Sequence, residues 1–501
     1  MDSRRHTVNT NSTVPASELR PEDEKLGLGA NLAYGLQHVL TMYGGIVAVP
    51  LIVAEAAGMS AADAGLLITA CLFMGGVATL LQTLGIPFFG SRLPLVQGVS
   101  FAGVATMVSI LQTGGGLPGI LGAVMASAVL GLLVAPVFSK VTRFFPPLVN
   151  GCVITVIGLS LIPVAAHWAM GGNARAADYG SMSNIALAGI SLVIVLGLSK
   201  VGSAAISRLS ILLSIVLGTV VAVFMGKADF SRVLEGAWFA IPTPMHFGMP
   251  TFNTAAILSM FIVILVILVE TSADVLAVGD IVGTRVDSRR LGDGLRADML
   301  SSVVAPFFGS FTQSAFAQNV GLVAVTGIKS RYVVAFSGLI LIAFGLLPIM
   351  GRIVACVPPS VLGGAGLVLF GTVAASGIRT LAKVDYHNNM NLIIVAASIG
   401  MGVLPMVKPD FYHHFPDWFA TMFHSGISST AVTVLLLNLV FNHFKQGNPE
   451  EPSVFGAGSE RVLSEAVLSA LADGDRVVDG KLYDREGKEV ATVSAPAAAM
   501  H

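Results

Sequence analysis

Charge is scarce in this chain: 11% of its 501 residues are Asp, Glu, Lys or Arg, against about 25% in an ordinary soluble domain. With 54% of residues hydrophobic, that scarcity excludes a soluble globular protein and leaves a polytopic membrane protein with short connections. Cysteine is rarer still. Cys71, Cys152 and Cys356 all lie in apolar segments, at spacings that fit neither a disulfide framework nor a metal site, so they read as small buried hydrophobes. The histidines are scattered and no His-Glu-x-x-His pattern occurs, which argues against an intramembrane metalloenzyme. No catalytic group, metal or cofactor is expected, and no nucleic-acid partner. The first 25 residues lack the apolar stretch of a signal peptide, so the N-terminus is expected to stay cytosolic while the first membrane helix directs insertion.

What the chain has is apolar runs. Those near 33–55, 62–86, 115–138, 147–166, 185–200, 206–226, 254–277, 332–350, 360–378, 389–405 and 426–443 are of the length needed to cross roughly 30 Å of hydrocarbon, or nearly so. Three more, 94–111, 292–310 and 315–328, are interrupted or semi-polar. Together they predict about fourteen transmembrane segments, an even number that puts both termini on one side. Arg92, Lys140, Arg143, Lys200, Arg208, Arg285, Arg289, Arg290, Lys329, Arg331, Arg379, Lys383 and Lys445 fall on one face. Arg175, Lys227, Arg232, Arg352 and Lys408 fall on the other. The positive-inside rule makes the richer face cytoplasmic, and the termini go with it.

The chain also repeats itself. Pro146-Pro147-Leu148-Val149-Asn150-Gly151 and Pro358-Pro359-Ser360-Val361-Leu362-Gly363 each open an apolar run, and almost the same interval separates Ser100-Phe101-Ala102 from Ala315-Phe316-Ala317. With seven crossings per half, the second copy enters from the opposite face, which makes the repeat inverted. The expected organisation is a cytosolic tail at 1–29, a transporter domain at 30–445 with repeats at about 30–226 and 250–445, and a cytosolic tail at 446–501. In that last tail Arg461 to Leu471 predicts a short amphipathic helix, and Val477 to Tyr483, with Asp479-Gly480, predicts a hairpin.

Polar residues inside apolar runs are costly and mark function. Two breaks stand out, Gln97-Gly98-Val99-Ser100-Phe101 and Ser314 to Thr326, the latter containing Gln318-Asn319-Val320-Gly321. Each is expected to be a short extended stretch leading into a half-helix, because free backbone groups at membrane depth are tolerated only where they line a cavity or are buried in protein. Paired breaks of this kind mark a secondary transporter. Glu270 and Asp274, in Glu270-Thr271-Ser272-Ala273-Asp274, are four residues apart and share one helical face; a carboxyl there can take a proton from one side and release it to the other. Asp298 lies just before the apolar Val303–Phe308, with Asp293 and Arg296 nearer the interface. Gln318 offers amide donors and an acceptor, and Glu270 offers acceptors, a set that suits a flat uncharged ring with alternating N–H and C=O groups. An inorganic anion would call for Arg or Lys at the breaks, and neither has one. Phe101 and Phe316 read either as a stacking face or as ordinary packing. His38 reads either as a proton relay or as a hydrogen-bonded strut between helices.

The stretch Gln318-Asn319-Val320-Gly321-Leu322-Val323-Ala324-Val325-Thr326-Gly327 resembles the signature of the nucleobase–ascorbate transporter family. That signature is Gln/Glu/Pro-Asn-x-Gly, four spacers, then Thr and Arg/Lys/Gly. Gln37-His38, Glu270 and Asp298 also resemble family positions, and the resemblance covers roughly 30–445. It implies two inverted sevens arranged as a core domain (segments 1–4 and 8–11, with short interrupted segments 3 and 10) and a gate domain (5–7 and 12–14). It further implies a homodimer in lipid and elevator-type, proton-coupled uptake of a purine base across the plasma membrane, in bacteria the inner membrane. By that resemblance Glu270 and Gln318 hold the base edge, backbone near Phe101 and Ala317 completes the site, and Asn319 shapes it. Gln318 resembles the xanthine and urate branch, and Phe239-Ala240-Ile241-Pro242-Thr243-Pro244-Met245, with Phe247-Gly248-Met249-Pro250 after it, resembles the bacterial uric acid permeases. Ser100 stands where the urate permeases of that branch have Thr, and Asp274 where they have an apolar residue. Both departures leave urate and xanthine open. The alternatives are uracil or another nucleobase and, further off, an anion or a channel.

Overall fold

A computed structural model describes residues 20–141, 146–203, 206–207, 209–231, 233–234, 237–386, 389–443, 476–478, 481–485 and 489–490. The helices begin where the sequence supplies a cap or a proline. The Ser60 hydroxyl accepts from Asp63 N at 3.1 Å and starts α2 (Ala61–Leu84), which follows α1 (Leu28–Ala56). The two Pro-Pro pairs open helices that later pack together, α5 (Pro147–Ala169) and α13 (Pro359–Leu381). Proline suits a first turn because its missing N–H would be unpaired there anyway. Between them in sequence lie α6 (Met182–Val201), α7 (Ser210–Phe224), α8 (Thr254–Val282), α9 (Ser288–Val304), α10 (Ala317–Thr326), α11 (Arg331–Gly345) and α12 (Pro348–Ala355). Upstream are α3 (Val104–Gln112) and α4 (Gly116–Val141), and downstream α14 (Asn389–Val407), α15 (Asp417–His424) and α16 (Gly426–Asn438). Among the described residues eight helices are long and apolar enough to cross a membrane, or nine when α11 and α12, bent by 78° at their junction, count as one span. The protein is a polytopic helical membrane protein.

The two breaks find each other. Gln97–Val99 (β1) pairs antiparallel with Gln313–Ala315 (β2), with Gly98 opposite Ser314. Ser100 N to Thr312 O (2.9 Å) and Phe316 N to Val96 O (3.1 Å) extend the ladder. The outer edges are closed by hydroxyls: Thr79 Oγ1 accepts from Gln97 N at 3.0 Å, and Ser302 Oγ accepts from Gln313 N at 2.8 Å. Backbone that leaves helix geometry in apolar surroundings is thereby satisfied without water. Each strand runs directly into a short helix, α3 through a turn of 3-10 helix at Phe101–Gly103 and α10 at Ala317.

The helices pack in two groups. In one, α1 lies on α2 and α11, α2 also on α12, and α4 on α8 and α9; in the other, α5 lies on α13, α14 and α16, and α13 on α6 and α7. Small residues let α5 and α13 come close: a Cβ on Gly158 would lie 2.2 Å from Ala374 N, and one on Gly377 would lie 2.3 Å from Thr155 N.

The part of the N-terminal tail that the structure describes is docked. Glu22, buried in the short 3-10 turn Pro21–Asp23, pairs with Arg290 (2.6 Å), and Asp23 pairs with Arg331 (2.7 Å). In the C-terminal tail the expected hairpin is present as Arg476–Val478 (β3) against Lys481–Tyr483 (β4), extended by Glu489–Val490 (β5). The amphipathic helix expected at 461–471 lies outside the described residues.

Candidate functional site

The strand pair and the C-terminal halves of α8 and α13 enclose a cavity of about 490 Å³. The walls include Ser100, Phe101, Glu270, Asp274, Phe316, Ala317 and Gln318, so seven of the ten residues singled out in the sequence line one space. Glu270 and Asp274 lie one turn apart on α8, as their spacing requires. Among the described residues no protein group hydrogen-bonds the side chain of Glu270 or Gln318, which leaves both for a ligand. The α10 helix starts beside them at Ala317 with no side-chain cap, so its first-turn N–H groups have no side-chain acceptor.

The remaining three, Asn319, His38 and Asp298, do not line the cavity. They hold its walls. Asn319 Nδ2 donates both to His38 Nδ1 (3.0 Å) and to the His38 carbonyl (3.1 Å). The carbonyl can only accept, which orients the amide and makes Nδ1 an acceptor as well. His38 thus hydrogen-bonds across from α1 to α10. Asp298, 1% exposed on α9, accepts from Thr271 Oγ1 at 2.6 Å, and its Oδ1 has no partner among the described residues. Thr271 also stands 3.5 Å from Ala315 N, so a hydroxyl next to Glu270 joins α8, α9 and β2. Arg296, midway along α9, donates to Asp293 and to the Phe88 carbonyl (2.8 Å) and does not line the cavity.

Sequence reading missed Thr271 and the contribution of α13. Thr372, Ser376, Arg379 and Thr380 line the cavity on the side facing α8 and α10. Their signal was there: polar residues at spacings of four and three along an apolar run lie on one helix face. A second cavity of about 330 Å³, lined by Thr41, Gly44, Gly45, Ile211 and Leu369, shares Gln318, Gly321 and Thr372 with the first. Gln318 therefore stands between two spaces at the seam of the packing groups.

Comparison with known proteins places this architecture. The profile of the Permease family matches residues 29–411. The uric acid transporter UacT of Escherichia coli (strain K12) is 41% identical over 442 residues, covering 87% of this chain and 92% of that protein. The xanthine permease of Bacillus subtilis (strain 168) is 40% identical over 425 residues, covering 85% and 97%. Among solved structures, the transmembrane domain of a cyanobacterium bicarbonate transporter, BicA, superposes with a TM-score of 0.54 at 16% identity, over 83% of this chain and all of that one; at that identity it speaks to the fold alone. The chain belongs to the Permease family, the nucleobase–ascorbate transporters, and its relatives are named as permeases and transporters.

Proposed function

We propose that this protein is a proton-coupled symporter that imports a purine base, urate or xanthine or both, across the bacterial inner membrane. The observation that carries the reading is that Glu270 and Gln318, neither held by another described residue, face one cavity beside the uncapped start of α10. Glu270 accepts from ring N–H groups, and the Gln318 amide answers an adjacent C=O and N–H. The α10 N–H groups bond a carbonyl oxygen, Phe101 and Phe316 pack on the ring faces, and Ser100 and Ala317 bound the site. The names of the relatives at about 40% identity support the cargo class.

Coupling is assigned to the same cavity. Glu270 and Asp274 exchange a proton with whichever side the cavity faces, while Asn319, His38 and Asp298 keep the walls in place. The group formed by α1–α4 and α8–α12 is the core that carries cargo, and α5–α7 with α13–α16 is the gate against which it slides and through which two copies associate. We read the chain as two inverted repeats of seven segments, about 30–226 and 250–445, with both termini cytosolic and tails at 1–29 and 446–501. The antiparallel pairing of the breaks and the matched Pro-Pro helix starts support that symmetry. The test is uptake of labelled urate and labelled xanthine into cells lacking their own purine carriers, with and without a protonophore. Saturable uptake that the protonophore collapses is the expected result. No uptake of either, with the protein in the membrane, overturns the proposal.

A further inference from the structure

Away from the substrate cavity, at the end of the molecule where α1 and α5 finish, the two packing groups meet through side chains that the site does not use. Glu55 lies in the last turn of α1, and His167 and Trp168 lie in the last turn of α5. The indole Nε1–H of Trp168 donates to Glu55 Oε2. His167 Nε2 stands 3.3 Å from Glu55 Oε1, and its Nδ1 stands 2.7 Å from the Tyr179 hydroxyl. A carboxylate at the C-terminal end of a helix opposes the helix dipole, and this one has only 31% of its side chain exposed. Both costs have to be offset by partners, and the partners found here belong to the other packing group.

A second observation joins the cluster to the site. Trp168 is buried with its ring 6.3 Å from that of Phe370, and Phe370, also buried, meets Phe101 edge-on at 5.9 Å. Phe101 lines the substrate cavity. A row of rings thus runs from the Glu55 carboxylate to the wall of the site. Beside it, Leu51, Trp168 and Phe370 border a void of about 20 Å³, which has room for about one water and none for cargo. In the other direction the cavity continues along α8 and α13 to Ile281, Arg379 and Thr380, on the face rich in Lys and Arg.

We infer that Glu55, His167 and Trp168 are the outer latch of this transporter. They are positioning residues: they tie the core to the gate while the cavity faces inward, and they separate in each cycle when the outer face opens. The inference rests on the alternating-access reading above. It is tested on the full chain carrying Cys356→Ser and a reporter, Leu51→Cys, beneath Trp168, in right-side-out vesicles treated with a membrane-impermeant maleimide. Glu55→Ala and Trp168→Phe are each expected to raise the labelling rate roughly tenfold, the shift that follows when one state loses a charge-assisted hydrogen bond. Glu55→Gln, which keeps an acceptor for the indole, is expected to return labelling toward the parent rate. Labelling at the parent rate in both variants overturns the inference. Should Glu55→Ala not reach the membrane, Trp168→Phe carries the same test, since it keeps an aromatic ring and removes the N–H. The labelling needs no cargo, so it stays readable if the purine assignment fails. Urate uptake in the same vesicles reports on that assignment separately, and a variant that populates the outward-open state is expected to lower the apparent KM for external purine.

Discussion

The two breaks share a backbone and differ in how they end. The first closes on itself: the Ser100 hydroxyl accepts from Ala102 N at 3.2 Å, and a 3-10 turn leads into α3. The second leaves its helix uncapped, with Ala317 and Gln318 on the cavity wall. Their neighbours differ too. Gly98 in the first break has no side chain because a Cβ there would lie 2.6 Å from the Phe316 ring, whereas the second break brings Thr271, Glu270 and Asp298 to its side. The difference assigns a division of labour. On the proposed function, the first break shapes the cavity and packs the second in place, and the second keeps its donors for cargo.

That division can be broken from either side. The largest effect is expected on the second, where Glu270→Gln abolishes proton-driven uptake and leaves exchange of internal for external purine if Glu270 carries the proton; counterflow in proteoliposomes separates the two. Loss of exchange as well would make Glu270 indispensable to binding. Gln318→Ala, which removes an amide from the cavity wall, is expected to weaken purine binding roughly 10- to 100-fold, about 1–3 kcal/mol, with expression intact, as measured by competition for uptake. On the first break, Gly98→Ala forces a methyl into the Phe316 ring and is expected to cost about 1–3 kcal/mol of stability, seen as a lower Tm of the purified protein, with smaller change in affinity for any folded fraction. The smallest effect is expected from Ser100→Thr, which keeps the cap and adds one methyl at the cavity wall. It should narrow selectivity toward urate in competition assays, and an unchanged profile removes position 100 as a filter.

Much of the second break was readable from residues alone, since its signals are local. Four-residue spacing puts Glu270 and Asp274 on one face, and the run from Gln318 to Gly327 carries a complete family signature. The breaks also announced extended backbone, because Gln97 and Gly98 in one and Ser314 and Gln318 in the other interrupt otherwise apolar runs. What local pattern does not encode is the partner. Nothing near Asn319 names His38, which lies far back in the chain, and nothing near Asp298 names Thr271. These are tertiary choices, made when α10 meets α1 and α9 meets α8. The docking of Glu22 on Arg290 was hidden for the same reason: a polar, charged segment reads as a tail until the helix ends that bind it are assembled. The α13 residues are a different case. Thr372, Ser376 and Arg379 have the right spacing, but along a helix that reads as an ordinary span their polarity could equally have faced the inner aqueous boundary.

The measurement that tests the division of labour most directly is titration of urate and of xanthine into purified protein, comparing the parent with Gln318→Ala and Ser100→Ala. Gln318→Ala is expected to lose at least roughly tenfold in affinity for whichever purine binds, while Ser100→Ala, having lost a cap worth about 1 kcal/mol to the fold, binds within a few-fold of the parent. Equal losses in the two variants, or full affinity in Gln318→Ala, would contradict that division.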